Sequence, residues 1–161
     1  MVRRQERDRN QMEGLEDLYQ EIILDHHRNP RNHRLLEQPD LEAKGFNPFC
    51  GDQVTLTAML DSHGQISAIG LSGQGCAISQ ASASIMGELL KGKTLAEAQV
   101  LSGLFHAVMQ GKEPTAEDEE ALGELAALEG VKRFPVRIKC ALLGWSTLED
   151  AIAEHGKGGR Q

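Results

Sequence analysis

Cys50, Cys76 and Cys140 are the residues of this chain best suited to chemistry, and their surroundings differ from those of packing cysteines. Cys50 stands in Asn47-Pro48-Phe49-Cys50-Gly51-Asp52, a turn just before a strand. Cys76 closes Gly73-Gln74-Gly75-Cys76, where a strand feeds a helix N-terminus, and Cys140 stands near the start of the final helix. An isolated cysteine is most often a small buried hydrophobe. Here, however, two of the three lie in Gly-rich turns at element ends, where folds place functional groups. A helix N-terminus also favours thiolate over thiol, which lowers the expected pKa of Cys76. On a helical wheel of about 100° per residue, Cys140 points away from the stripe of Ile138, Ala141, Leu142 and Trp145, so it is not an obvious core position.

Asp52 follows Cys50 by two residues, so both can reach one ion from a single turn. Three thiolates and a carboxylate match the donor types and four-coordinate geometry of zinc. Such a site is negatively charged, and Arg137 and Lys139 are placed to offset it. Spacing alone does not decide the matter: there is no C-x-x-C pair and the gaps between cysteines are long. A metal centre and three unconnected packing cysteines both remain open on this ground. Other motifs carry less. Gly73-Gln74-Gly75 lacks the third glycine of a dinucleotide-binding turn, and Gly70-Leu71-Ser72-Gly73 lacks the spacing of a nucleophile elbow. His26 and His27 diverge by about 100° on a helix and read as a solvated face. The acidic run from Glu117 to Glu120 reads as charge favoured at a helix N-terminus.

The elements that must position these residues follow from periodicity. Leu15, Leu18, Tyr19, Ile22 and Ile23 recur at helical spacing, and the helix must stop near Asn29-Pro30. Residues 42–46 suit a short strand. Val54, Leu56, Ala58 and Leu60 alternate with polar partners, and the chain returns over 65–71 after an Asp61–Gly64 turn, giving a small antiparallel meander. From Cys76 on the pattern is helical. Thr94 and Glu97 form a capping box, an acidic helix is expected over 115–129, and a final helix starts near Pro135. Strands followed by helices predict an α+β domain over residues 14–154, with a disordered arm at 1–13 and a disordered Gly-rich tail at 155–161.

Composition narrows the classes of function. With 161 residues the chain suits one domain, and 40% hydrophobic and 25% charged residues suit a globular one. A net charge of −7 without a basic stripe argues against nucleic acid as a partner. No apolar run approaches the roughly 20 residues that cross a bilayer, which argues against a membrane. The charged start has no hydrophobic segment, so the expected place is the cytoplasm, where thiols stay reduced.

Five motifs together resemble a known family. Leu18-Tyr19-Gln20, Asp25-His26-His27-Arg28-Asn29-Pro30-Arg31-Asn32, Cys50-Gly51-Asp52, Gly73-Gln74-Gly75-Cys76-Ala77-Ile78-Ser79 and Phe134-Pro135-Val136-Arg137-Ile138-Lys139-Cys140 are similar to the SufU branch of the IscU/NifU-N-like proteins. The resemblance implies a three-stranded antiparallel sheet packed with about five helices, and a metal held by Cys50, Asp52, Cys76 and Cys140. It implies a zinc-dependent sulfurtransferase that takes persulfide sulfur from a SufS-type cysteine desulfurase and passes it to a downstream iron–sulfur assembly scaffold. By the same resemblance Cys50 is the acceptor, freed when a desulfurase His takes its place on the metal. Independently of it, the charge and position of Arg137, three residues before Cys140, suit it to stabilise charge on the moving sulfur. The alternative is a scaffold that carries a [2Fe–2S] cluster on the same cysteines. Lys139, where scaffolds usually have His, and the acidic insertion before the last helix favour the first reading. A purely structural zinc site is disfavoured by Asp52, since such sites use mainly Cys and His. Two departures from the family pattern, Phe49 for Thr or Ser and His27 for Tyr, touch no expected ligand. The first helix and the segment from Asp25 to Asn32, with Arg28 and Arg31 exposed, together with the surface around the metal, are the expected desulfurase-docking face.

Overall fold

Alternation in the Val54–Leu60 segment places Val54, Leu56 and Ala58 in the core beneath the sheet. The computed structural model describes residues 19–158; the expected arm at 1–13, with Leu15 and Leu18, lies outside the described residues. Three strands, β1 (Leu41–Asn47), β2 (Asp52–Leu60) and β3 (Ile66–Gln74), form an antiparallel meander in the order β1-β2-β3. The β1–β2 hairpin closes on the pair Asn47↔Asp52, which leaves Cys50 in its four-residue tip. Gln53 pairs with Gln74, so the end of β3 delivers Gly75 and Cys76 beside Asp52.

Helix α1 covers residues 19–28. It is followed after the sheet by α2 (Ala77–Leu90), α3 (Leu95–Met109), α4 (Ala116–Leu122), a 3-10 stretch over Gly123–Arg133, and α5 (Pro135–Gly158). This is the α+β architecture the sequence predicts, with one sheet and five helices among the described residues. Thr94 and Glu97 form the expected capping box at the start of α3. Helix α5 lies across the sheet and against α2, with Trp145 and Leu148 fully buried and the Trp145 ring tilted against Phe105 of α3 at 5.6 Å between ring centroids. Its approach to β1 requires Gly45, where any Cβ would overlap Thr147 Oγ1. A second tie, Ser82 Oγ donating to Ala141 O at 2.6 Å, fixes α5 against α2.

Four expectations need correction. The acidic helix over 115–129 is two pieces: a capping box between Thr115 and Asp118 starts α4, and Gly123 at φ 53° breaks it. Beyond the break Leu125, Leu128 and Val131 continue the line of Leu122 into the core. A spacing of three is the period of a 3-10 helix, so this stripe is buried by that geometry and not by an α-helix. His26 is not solvated but 1% exposed, with Nδ1 2.7 Å from Ser84 Oγ and Nε2 3.2 Å from Glu124 Oε1. Arg31 is half-buried and paired with Asp25 at 2.6 Å, so of the two docking arginines only Arg28 is exposed and outside any ion pair among the described residues. Finally, α5 runs on to Gly158, past the expected end of the domain at Glu154. Among the described residues no helix is long and apolar enough to cross a membrane.

Candidate metal centre

Three separate elements bring the cysteines together. The β1–β2 tip carries Cys50, with Gly51 at φ 68° turning the chain into β2. Asp52, the first residue of β2, is fully buried, and its Oδ1 accepts the Cys76 N–H at 2.9 Å. Cys76 is the N-cap of α2 but its side chain caps nothing, which leaves the sulfur directed elsewhere, 3.8 Å from Asp52 Oδ2. Gly75 is required at this junction, because a Cβ would overlap Asp52 Oδ1 and stand 2.7 Å from Ser79 Oγ.

Cys140, one turn into α5, is fully buried with its Sγ 3.2 Å from Cys50 Sγ. The helical wheel placed it off the apolar stripe, and that expectation is corrected: Gly144, Thr147, Leu148 and Ala151 are buried on the same side of α5 as Cys140, whereas Ile138 and Leu142 of the expected stripe are only half-buried. Asn47, at the end of β1, donates from Nδ2 to Cys140 Sγ at 3.8 Å and accepts the Phe49 N–H on Oδ1 at 3.2 Å. All three cysteines are free. Burial, followed by hydrogen bonds with Cys50, Asp52 and Cys76, pushes the Cys140 thiol far above its ordinary range. The charge and hydrogen bond of Cys76, then the charge of Cys140, raise the pKa of the exposed Arg137 guanidinium, which faces both sulfurs from the first turn of α5.

Ligand atoms of Cys50, Asp52 and Cys140 lie within 4.8 Å of one another. Cys76 borders this group through Asp52 and is not within that distance of all three. A buried carboxylate among three sulfurs, with a single N–H donor to it, is costly unless a cation offsets its charge. Three soft sulfurs and one oxygen are also a donor set that zinc takes in four-coordinate sites. The residues present therefore fit such an ion. Sequence reasoning singled out all four of these residues and Arg137 but missed Asn47, Gly75 and the contact of Lys139 with Phe49. The signal for Asn47 was the symmetry of the turn, since Asn47 and Asp52 flank Cys50 as the closing pair of a hairpin.

The family model described as NifU-like N terminal domain matches residues 18–141. The chain belongs to that family. It is 42% identical over 145 residues to the zinc-dependent sulfurtransferase SufU of Bacillus subtilis, covering 90% of this chain and 96% of that protein. It is 41% identical over 139 residues to the iron–sulfur cluster assembly scaffold protein IscU of Streptococcus pyogenes, covering 86% of this chain and 84% of that protein. Among solved structures, an iron–sulfur cluster assembly scaffold protein for the SUF system from Fervidobacterium islandicum superposes with a TM-score of 0.76 at 39% identity, covering 82% of this chain and 94% of that one. The match to the NifU-like N-terminal family covers the sheet, α2 and about the first two turns of α5, which is every element that carries a candidate ligand.

Proposed function

We propose that this chain is a zinc-dependent sulfurtransferase of iron–sulfur cluster assembly, with Cys50, Asp52, Cys76 and Cys140 as metal ligands and Cys50 as the sulfur acceptor. The observation that carries this reading is the unequal footing of the thiols around one buried carboxylate. Cys50 stands on a four-residue loop between exposed neighbours, whereas Cys76 is held at a helix start and Cys140 is buried on a long helix. Only Cys50 can change position without unpacking the core.

Zinc, when bound, holds thiolates together without redox chemistry of its own. The chain's residues supply the rest. The Cys50 thiolate attacks the terminal sulfur of a persulfide on the partner; the partner's S–S bond breaks, its thiolate leaves, and the new S–S bond is on Cys50. No net oxidation occurs, and the pair of electrons follows the departing thiolate. Arg137 stabilises negative charge on sulfur as it arrives or leaves, a charge-assisted interaction stronger than a neutral hydrogen bond. Asp52 and Asn47 keep the loop's two ends fixed while its tip moves. The partner is a SufS-type cysteine desulfurase, the recipient is a downstream iron–sulfur assembly scaffold, and both reactions belong in the reducing cytoplasm.

A second reading, a scaffold for a [2Fe–2S] cluster, is favoured by the 41% identity to a protein named IscU. Against it stands Lys139, whose ammonium has no lone pair to offer a metal and which lies 4.3 Å from the Phe49 ring centroid. Metal analysis of protein purified without air, followed by a desulfurase-stimulation assay, separates the two. One zinc per chain with stimulated cysteine turnover supports the sulfurtransferase. A stable coloured cluster after anaerobic reconstitution, without stimulation, supports the scaffold.

A further inference from the structure

Two residues that are neither ligands nor acceptors meet across the site. Phe49 precedes Cys50 and is 74% exposed. Lys139 precedes Cys140, and its ammonium sits over the Phe49 ring at 4.3 Å from the centroid. The pair therefore joins the loop that carries one candidate ligand to the helix that carries another. Beyond the Cys50 Sγ–Cys140 Sγ contact at 3.2 Å, and a metal ion that the two would share, little else restrains the tip. Phe49 N–H donates to Asn47 Oδ1 at 3.2 Å, and Gly51 turns at φ 68° with open space where a side chain would be. A loop anchored at Asn47 and Asp52 but free between them opens readily unless a contact near Cys50 closes it.

We propose that Lys139 and Phe49 form a latch that holds the Cys50 loop against Cys140 and so sets how often Cys50 is free to meet a sulfur donor. The inference rests on the reading of Cys50 as acceptor. Both members are positioning residues; no bond to sulfur is made or broken by them. An exposed cation–π contact shifts an open–closed equilibrium by about two- to fivefold. That is enough to favour the closed loop in the free protein and weak enough to yield when a docked donor surface takes up the exposed ring.

Iodoacetamide labelling of the full-length protein as isolated, with peptide mass spectrometry, reads the opening directly. Cys76, on another element, is the internal reference, and all variants are compared in one buffer. Phe49→Leu and Lys139→Met are each expected to raise the Cys50-to-Cys76 labelling ratio about two- to fivefold. The double variant should rise no further than either single one, and Phe49→Tyr and Lys139→Arg, which keep ring and charge, should match the parent. An unchanged ratio in both single variants, or additive effects in the double, overturns the latch. A single-turnover transfer from desulfurase, with the sulfur located by mass, keeps the two claims apart. Sulfur on Cys140 alone with labelling that responds as stated removes the acceptor reading and leaves the latch. Sulfur on Cys50 with labelling that does not respond does the reverse.

Discussion

Cys50 and Cys140 are 3.2 Å apart yet differ in what surrounds them, and that difference decides what each substitution should do. Cys140 is fully buried on α5, so its sulfur cannot move without unpacking the helix, and it contributes to holding and not to reacting. Cys50→Ala should abolish sulfur acceptance and desulfurase stimulation; a variant that still accepts sulfur at Cys76 or Cys140 would contradict its role. Arg137 is exposed, so its charge is screened. Arg137→Ala should slow transfer about tenfold, less than the loss of a buried oxyanion donor, while zinc content stays that of the parent. Loss of zinc with the activity would recast Arg137 as part of the holding site. At this scale the sequence was legible where motif and turn chemistry coincide, as at Cys50 and Asp52. It was not legible for His26, because the partners that bury it, Ser84 and Glu124, lie 58 and 98 residues away in sequence.

Elements carry the ligands only if their junctions fit, and the tightest junction is the step from β3 into α2. Gly75→Ala places a methyl group against the Asp52 carboxylate and should displace it. Metal affinity is expected to fall about ten- to hundredfold, the range for disturbing a group that orients a ligand. Gly103→Ala, where the added Cβ meets nothing within 4 Å, should leave affinity unchanged and is the control; equal losses in both would point to general destabilisation. The 3-10 stretch gives a separate, pH-dependent outcome. Burial, with Glu119 and Glu113 adding to it against Lys132, raises the Glu129 carboxyl above its ordinary value of 4.5, and its Oε1 is buried without a hydrogen-bond partner. A raised folded pKa means that the group favours the fold below about pH 4.5 and loses that contribution as pH rises through the folded value. Glu129→Gln should therefore gain about 0.5 kcal/mol at pH 7, kept small by solvent screening, and nothing below pH 4. A denaturant series at several pH values checks this, and a gain that persists in acid would rule the cause out. The strands, α3 and the start of α5 were readable from alternation, a capping box and Pro135. The acidic segment misled because its charges suit any helix N-terminus, while the three-residue spacing of Leu122, Leu125, Leu128 and Val131 held the better signal.

Across the whole molecule the centre acts as a clasp between parts distant in sequence: a hairpin tip at Cys50, a helix start at Cys76 and the last helix at Cys140. The sequence made the layers legible but not this convergence, since gaps between ligands carry no distance information until the strand register and the path of α5 are known. With the metal present, the clasp ties α5 to the sheet at the end where α5 has few apolar anchors, its first turn being exposed at Val136 (60%) and Phe134 beside it (61%). An ion that binds only the folded chain adds to stability by mass action, about 2.7 kcal/mol when free metal is a hundredfold above its dissociation constant. For a domain of this size that corresponds to a fall in Tm of roughly 5–10 °C on removing it. Calorimetry of the full-length protein before and after chelation, with metal content measured on both samples, is the test. Cys140→Ser should show no chelator-dependent shift, because an ion cannot close the clasp without the α5 ligand. Because Ser146 of α5 is exposed and lies away from the site, Ser146→Ala should keep the full shift and show that altering α5 is not by itself the cause. Equal Tm values with and without metal in the parent, once removal is verified, would mean that the three elements are held by packing alone and that the metal has no part in the fold.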